Sequence, residues 1–169
     1  MIVSGGTYAT ASLAGGGNVT LRLVQDLANA EPNITVQSLT GDAGDAIATR
    51  FNNAANANLI VANAAAASFA GVISGAGGLT KQGAGTLTLT SANAIGSVSL
   101  GGGVTITQNA AALGGGLTVT AASTLQTDTD LTLTGGLSGT AALTKTGSGI
   151  LTVGGTGTGT GGVTVSAGK

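Results

Sequence analysis

The sequence predicts an all-β chain wound as a right-handed parallel β-helix, a solenoid of about eight coils. Three observations lead there: a long internal repeat, aliphatic residues that recur at every second position, and glycine clusters between the aliphatic runs. The chain has 169 residues, of which 32 are Gly, while charged types make up only 7% and apolar types 42%. Average glycine usage is about 7%. High glycine with low charge also suits a disordered chain, but disordered chains lack regular apolar spacing.

The repeat comes first because missing it miscalls the whole fold. Gly71-Val-Ile-Ser-Gly-Ala-Gly-Gly-Leu79-Thr-Lys-Gln-Gly-Ala-Gly-Thr-Leu87-Thr-Leu89 returns as Gly135-Gly-Leu-Ser-Gly-Thr-Ala-Ala-Leu143-Thr-Lys-Thr-Gly-Ser-Gly-Ile-Leu151-Thr-Val153. The offset is a constant 64 positions, from Lys81 to Lys145. Periods on this scale point to solenoids or arrays. The copies lie near 69–93 and 135–153 of a single 1–169 unit, and residues 1–32 carry no clear motif.

Inside the repeat the period is two. Val19-Leu21-Leu23, Leu87-Leu89, Val98-Leu100, Val104-Ile106, Leu117-Val119, Leu131-Leu133, Leu151-Val153 and Val163-Val165 each bracket one residue, most often Thr. Alternation places one side chain inward and the next outward. Threonine suits the outward sites because β-branching favours extended backbone. Gly101–Gly103, Gly114–Gly116 and Asn52-Asn53 supply turn residues that accept positive φ. Pro32, the single proline, reads as a turn before a strand from Ile34 to Leu39. Asp42 to Phe51 has an Asp cap for a short helix, but Gly44, Asn52 and Asn53 favour a strand through Ile47–Phe51.

A sandwich of two sheets also has short strands. Its core, roughly 10 Å thick, needs more aromatic bulk than Tyr8, Phe51 and Phe69 provide. Uniform small aliphatics suit a narrow solenoid in which like stacks on like. With about 20–22 residues per coil and coils about 4.7–4.9 Å apart, the chain makes a rod roughly 35–40 Å long.

Composition narrows the function. The formal net charge is −1, and Arg22, Arg50, Lys81, Lys145 and Lys169 are scattered. Nucleic-acid binding needs clustered cations to displace counterions, so no nucleic-acid partner is expected. Zero Cys excludes a disulfide framework and thiolate metal sites. Met1–Gly5 lacks a basic segment followed by an apolar one. The Leu59–Gly78 window is mostly Ala and Gly and is interrupted by Asn63, Ser68 and Ser74, unlike the roughly 20 strongly apolar residues of a membrane span.

Few residues offer chemistry. Asp128-Thr-Asp130 places two carboxylates about 7 Å apart if they share a strand face, as a glycosidase would need; otherwise the pair is a solvated turn. The reading favours the turn, because no third charged partner stands nearby. Asp42-Ala-Gly-Asp45 offers oxygen ligands to Ca²⁺ but not the Gly-Gly-x-Gly-x-Asp pattern, so no metal site is assigned. Lys81 and Lys145 occupy equivalent repeat positions. They are either solvated turn residues or, three coils and about 14 Å apart, a ladder for an anion. Gly155–Gly161 alternates Gly and Thr without the Lys-Ser/Thr end of a phosphate loop. Asn18-Val-Thr20 and Asn33-Ile-Thr35 match the glycosylation acceptor pattern. No catalytic, cofactor-binding or metal-binding residue is therefore expected.

The stretch from Phe69 to Asn93 closely resembles the autotransporter-associated β-strand repeat, also called the passenger-associated transport repeat. The family pattern is an aromatic, then G-x-I-S-G, then G-G-L-T-K-x-G-x-G-T-L-x-L, then a small polar run with Asn. Ile34–Gly41 and Leu59–Val61 resemble what precedes it. The second copy departs, with Ala141-Ala142 for Gly-Gly and no leading aromatic; together the similarity covers roughly residues 33 to 169. The resemblance implies a non-enzymatic passenger stalk at the bacterial outer surface or outside the cell, contributing to surface display or adhesion. The surface ligand is unknown, and the membrane is reached only through a translocator barrel that this sequence lacks. The rival reading is an extracellular fibre subunit. No amphipathic capping helix is visible, and Val163–Lys169 reads as half a coil that Ile2–Thr7 of another copy completes head to tail.

Overall fold

In a computed structural model, residues 33–49, 57–113 and 115–169 are described, together with the backbone of strands Ile2–Val3, Gly6–Tyr8, Ala11–Ser12 and Thr20–Leu23. Every described element is a strand, and every pairing between the described strands is parallel. Because parallel neighbours need a crossover between them, the chain stacks coil upon coil as a β-solenoid. Pro32 and the residues beyond Thr49 in the expected Ile47–Phe51 strand lie outside the described residues; Ala46–Ala48 is a strand.

Each coil visits up to three faces. The first holds Ile2–Val3, Thr20–Leu23, Ala46–Ala48 and the starts of Val72–Gln82 and Ala94–Gly101. The second holds Gly6–Tyr8, Asn33–Val36, Asn58–Ala62, the ends of the same two long strands, Gly116–Val119 and Leu137–Gly139. The third stacks Ala67–Phe69, Thr86–Leu89, Val104–Thr107, Ser123–Thr127, Leu143–Thr146 and Val163–Val165. Leu39–Thr40 adjoins this ladder through a bridge from Gly41 to Phe69. Leu131–Leu133 and Leu151–Val153 pair separately between visits to the third and second faces. The two long strands turn the first corner through an irregular register between Gly75 and Gly78, with Gly75 at φ 128°.

Paired residues lie 18 to 20 positions apart in the later coils, as for Leu87 with Thr105 and Leu79 with Leu59. Earlier coils are longer, with Ile34 paired to Leu59 and Ile47 to Ile73. The interior is a set of aliphatic columns, of which Ile34, Leu59, Leu79, Val98, Leu117 and Leu137 form one. All but Leu137, which is partly buried, have almost no exposed surface. Burying one such side chain is worth about 1.5–3 kcal/mol. Phe69, fully buried, is so closely wrapped that a Cβ at Gly41 would stand 2.5 Å from its ring. At the matching site of the second copy, Leu133 fills the space and is also buried.

One strand reverses the expected parity. Val104 and Ile106 were expected inward, yet Thr105 and Thr107 are buried and the aliphatics are half-buried outside. The reason is the length of the preceding corner. From Lys81 to Leu87 and from Val119 to Leu125, six positions separate inward residues; across Gly101–Gly103, from Leu100 to Thr105, there are five. A one-residue change flips every side chain to the other face. The Thr107 hydroxyl meets the cost of burial by donating to the Gln126 carbonyl at 3.4 Å.

Candidate functional site: glycine corners with buried lysines

The polar side chains inside the solenoid cluster at its corners. In Leu79-Thr80-Lys81 the alternation that turns Leu79 inward turns Lys81 inward as well. Lys81 and Lys145 are 1% and 0% exposed, which corrects the expectation of solvated turn residues. A surface ladder is corrected too. Lys81 stands on the second face, in register with Val61 and Leu100, and Lys145 on the third, in register with Leu125 and Val165. The cause is arithmetic: 64 positions is not a whole number of coils of 18 to 20 residues, so the second copy of the repeat is carried round to another face.

Both copies build the same corner. The Lys81 Nζ donates to the carbonyls of Gln82 at 2.7 Å and Gly83 at 2.9 Å, with Gly102 of the next coil at 3.5 Å. The Lys145 Nζ donates to Thr146 at 2.8 Å, Gly147 at 2.9 Å and Ala167 of the next coil at 3.0 Å. Gly83 and Gly147 turn the chain at φ 77° and 78°, a left-handed conformation that glycine adopts without strain. The following coil contributes Gly103 and Gly168, at φ 69° and 72°. A Cβ on either would come within 3 Å of the ammonium and of two corner carbonyls. Each ammonium thus binds carbonyl oxygens at the strand end and in the turn that follows it, and ties two coils together. Burial lowers the Lys81 pKa from 10.5 to about 8. Burial also lowers that of Lys145, against the opposing pull of the Asp128 carboxylate.

Asparagine does similar work. Asn93 accepts from the Ile73 amide at 2.7 Å and donates to Ala112 at 2.9 Å and Ser91 at 3.3 Å, bridging three coils. Asn63 donates to the carbonyls of Ala65 and Thr86, each at 2.7 Å, while its buried Oδ1 has no protein partner. In the sequence Asn63 reads only as an interruption of an Ala-rich window and Asn93 only as the end of a motif; Asn63 lies two positions after the inward Val61, and Asn93 lies immediately before the strand Ala94–Gly101.

The described acidic residues do not converge. Asp128 and Asp130 lie exposed in the bend after Ser123–Thr127, as the turn reading expected. Asp128 accepts from Gln126 at 2.8 Å, and Asp130 accepts from the Ile150 amide of the next coil at 2.9 Å. Asp45 is buried and its carboxylate accepts the Asp42 amide at 2.8 Å, closing the turn over Ala43-Gly44. Among the described residues no three His, Cys, Asp or Glu side chains group as metal ligands. No described helix is long and apolar enough to cross a membrane. Gly155–Gly161 lies against Leu137–Gly139, with Thr160 donating to the Gly139 carbonyl at 2.9 Å, and forms no strand.

No family model, no curated protein and no solved structure matches this chain.

Proposed function

We propose that the chain is a non-enzymatic structural module: a right-handed β-solenoid stalk of about eight coils that serves surface display or adhesion at the bacterial outer surface or outside the cell. The observation that carries the reading is the use made of polar groups. The buried ammoniums, amides and hydroxyls bind mostly backbone carbonyls of their own corner or of the next coil. Such groups hold a stack together and leave no converging set for chemistry. The resemblance of Phe69–Asn93 to a passenger repeat supports the extracellular role, and parallel crossovers take the right hand in about 98% of cases. Coils that pack only on their neighbours fold progressively from one end, which suits a chain threaded through a membrane. The test fuses the chain between a signal peptide and a heterologous translocator barrel in a Gram-negative host. Protease cleavage of the chain on intact cells is expected; retention of the folded chain in the periplasm contradicts the proposal.

A second reading is a fibre subunit stacking end to end, since a stack of parallel coils is extended by pairing with the strand edges of another copy. Electron microscopy of concentrated protein separates the two readings: filaments favour the fibre, and dispersed short rods exclude it.

A further inference from the structure

Lysine is among the side chains most rarely buried, because its charge is costly to remove from water. Between Ala57 and Gly168 the chain has two basic residues, Lys81 and Lys145, and both lie inside the solenoid. The charges that the same stretch leaves at the surface, Asp128 and Asp130, are acidic. This sorting bears on one class of partner. A serine protease seats one substrate side chain in a pocket that sets its specificity, and in trypsin-like enzymes that side chain is basic. Docking an extended substrate segment also calls on the segment's own main-chain hydrogen-bonding groups.

Both requirements are blocked at each lysine. Lys81 and Gln82, which flank the bond to be cut, are paired with Val61 and Ala62 of the preceding coil and with Leu100 and Gly101 of the following one. Lys145 is paired with Leu125 and Val165, and Thr146 with Gln126. The side chains point inward, and their ammoniums are held by carbonyls of the corner. The following coil then closes over them. A Cβ at Gly103 would stand 2.9 Å from the Lys81 Nζ, and one at Gly168 would stand 2.7 Å from the Lys145 Nζ. A protease pocket reaches neither ammonium until the covering coil is lifted.

We propose that the placement of its lysines shields this stretch from trypsin-like proteases: each lysine is locked under the next coil, so cleavage waits on local opening of the stack. The acidic residues left at the surface offer such an enzyme no site. The shielding belongs to the folded chain wherever it resides, so its failure would leave the display reading untouched. A protease of broad specificity, rather than trypsin, is the one that reports display on intact cells.

The experiment incubates the full chain with trypsin at pH 7 and follows, by mass spectrometry, the fragments that end at Lys81 or Lys145. Cleavage at both is expected to run at least about 10³-fold slower than in peptides of the same local sequence. Gly103→Ala forces φ near 69° on a residue with a Cβ and presses it on the Lys81 ammonium; it is expected to speed cleavage at Lys81 by about tenfold or more and to leave Lys145 as it was. Gly168→Ala does the reverse. Ala110→Lys puts a lysine on the exposed turn that Asn109 closes by accepting the Ala111 amide at 3.0 Å. That chain is expected to be cut after position 110 at least about tenfold faster than at Lys81. Circular dichroism verifies that each variant is folded; should a glycine variant not fold, the wild type and Ala110→Lys decide. Cleavage of the folded wild type at either lysine as fast as in the peptides overturns the proposal. A folded Ala110→Lys chain that resists at position 110 also overturns it, because protection would then come from the stack as a whole and not from where its lysines lie. Equal acceleration at both lysines by one glycine variant has the same consequence.

Discussion

Replacing Lys81 separates the packing of its stem from the burial of its charge. In Lys81→Met the apolar stem is kept and the ammonium lost. Two short hydrogen bonds, to Gln82 and Gly83, disappear, and each orphaned carbonyl costs about 1–3 kcal/mol. Against this, the charge is no longer held in a site that lowers its pKa from 10.5 to about 8, a relief of roughly 3 kcal/mol. The two effects nearly offset, so Lys81→Met is expected within about 2 kcal/mol of wild type. Lys81→Ala also empties a fully buried volume and is expected to fall below Lys81→Met by about 2–5 kcal/mol. Urea unfolding at pH 7 measures both. The pH dependence has a definite sign. The unfolded chain holds the Lys81 proton up to about pH 10.5 and the folded chain only to about 8. Wild-type stability is therefore level in this contribution below pH 8, rises as pH climbs from 8 to 10.5, and is level again above. Lys81→Met removes that share of the rise and leaves the share from Lys145, whose pKa burial also lowers. Equal unfolding midpoints for Lys81→Ala, Lys81→Met and wild type would refute the buried corner.

Other substitutions probe different links in the account. Gly83→Ala and Gly147→Ala force φ near 77° and 78° on a residue with a Cβ and press it to 2.5 and 2.4 Å from a carbonyl oxygen; each is expected to lower urea stability by about 1–3 kcal/mol. Asn93→Ala leaves the Ile73 amide and the Ala112 carbonyl without their partner and should cost at least about 2 kcal/mol in the same assay. Val104→Thr is expected to change stability by no more than about 0.5 kcal/mol because the site faces outward, whereas Leu87→Ala should cost about 2–5 kcal/mol. A large loss in Val104→Thr would mean that the parity of this strand is not reversed.

Much of the fold was legible because alternation and glycine spacing are local signals. Leu87-Leu89, Leu117-Val119 and Leu131-Leu133 are buried where period two placed them. Val104-Ile106 failed because parity is inherited from the corner before it, and the one residue missing from Gly101–Gly103 shows only when corners are compared. The lysines failed for a different reason. Charge suggests a solvated turn, although Leu79-Thr80-Lys81 and Leu143-Thr144-Lys145 place both lysines on the inward parity. What makes such burial tolerable is a corner that turns the carbonyls one and two residues on back towards the ammonium, joined by one carbonyl of the next coil about 20 residues on, a geometry that residue class alone does not display. The 64-residue repeat carried the same lesson: it encodes a corner, which recurs on a different face, rather than a rung.

The coil stack itself is tested most directly by distance. The chain has no Cys, so paired spin labels attach cleanly at Thr86 with Thr124, Thr144 or Thr164, which stand two, three and four rungs away on one column. Pulsed dipolar measurements should show separations that grow by one coil spacing, about 4.7–4.9 Å, at each step. Separations that stay level, or that change without a common increment, would contradict a stack of parallel coils.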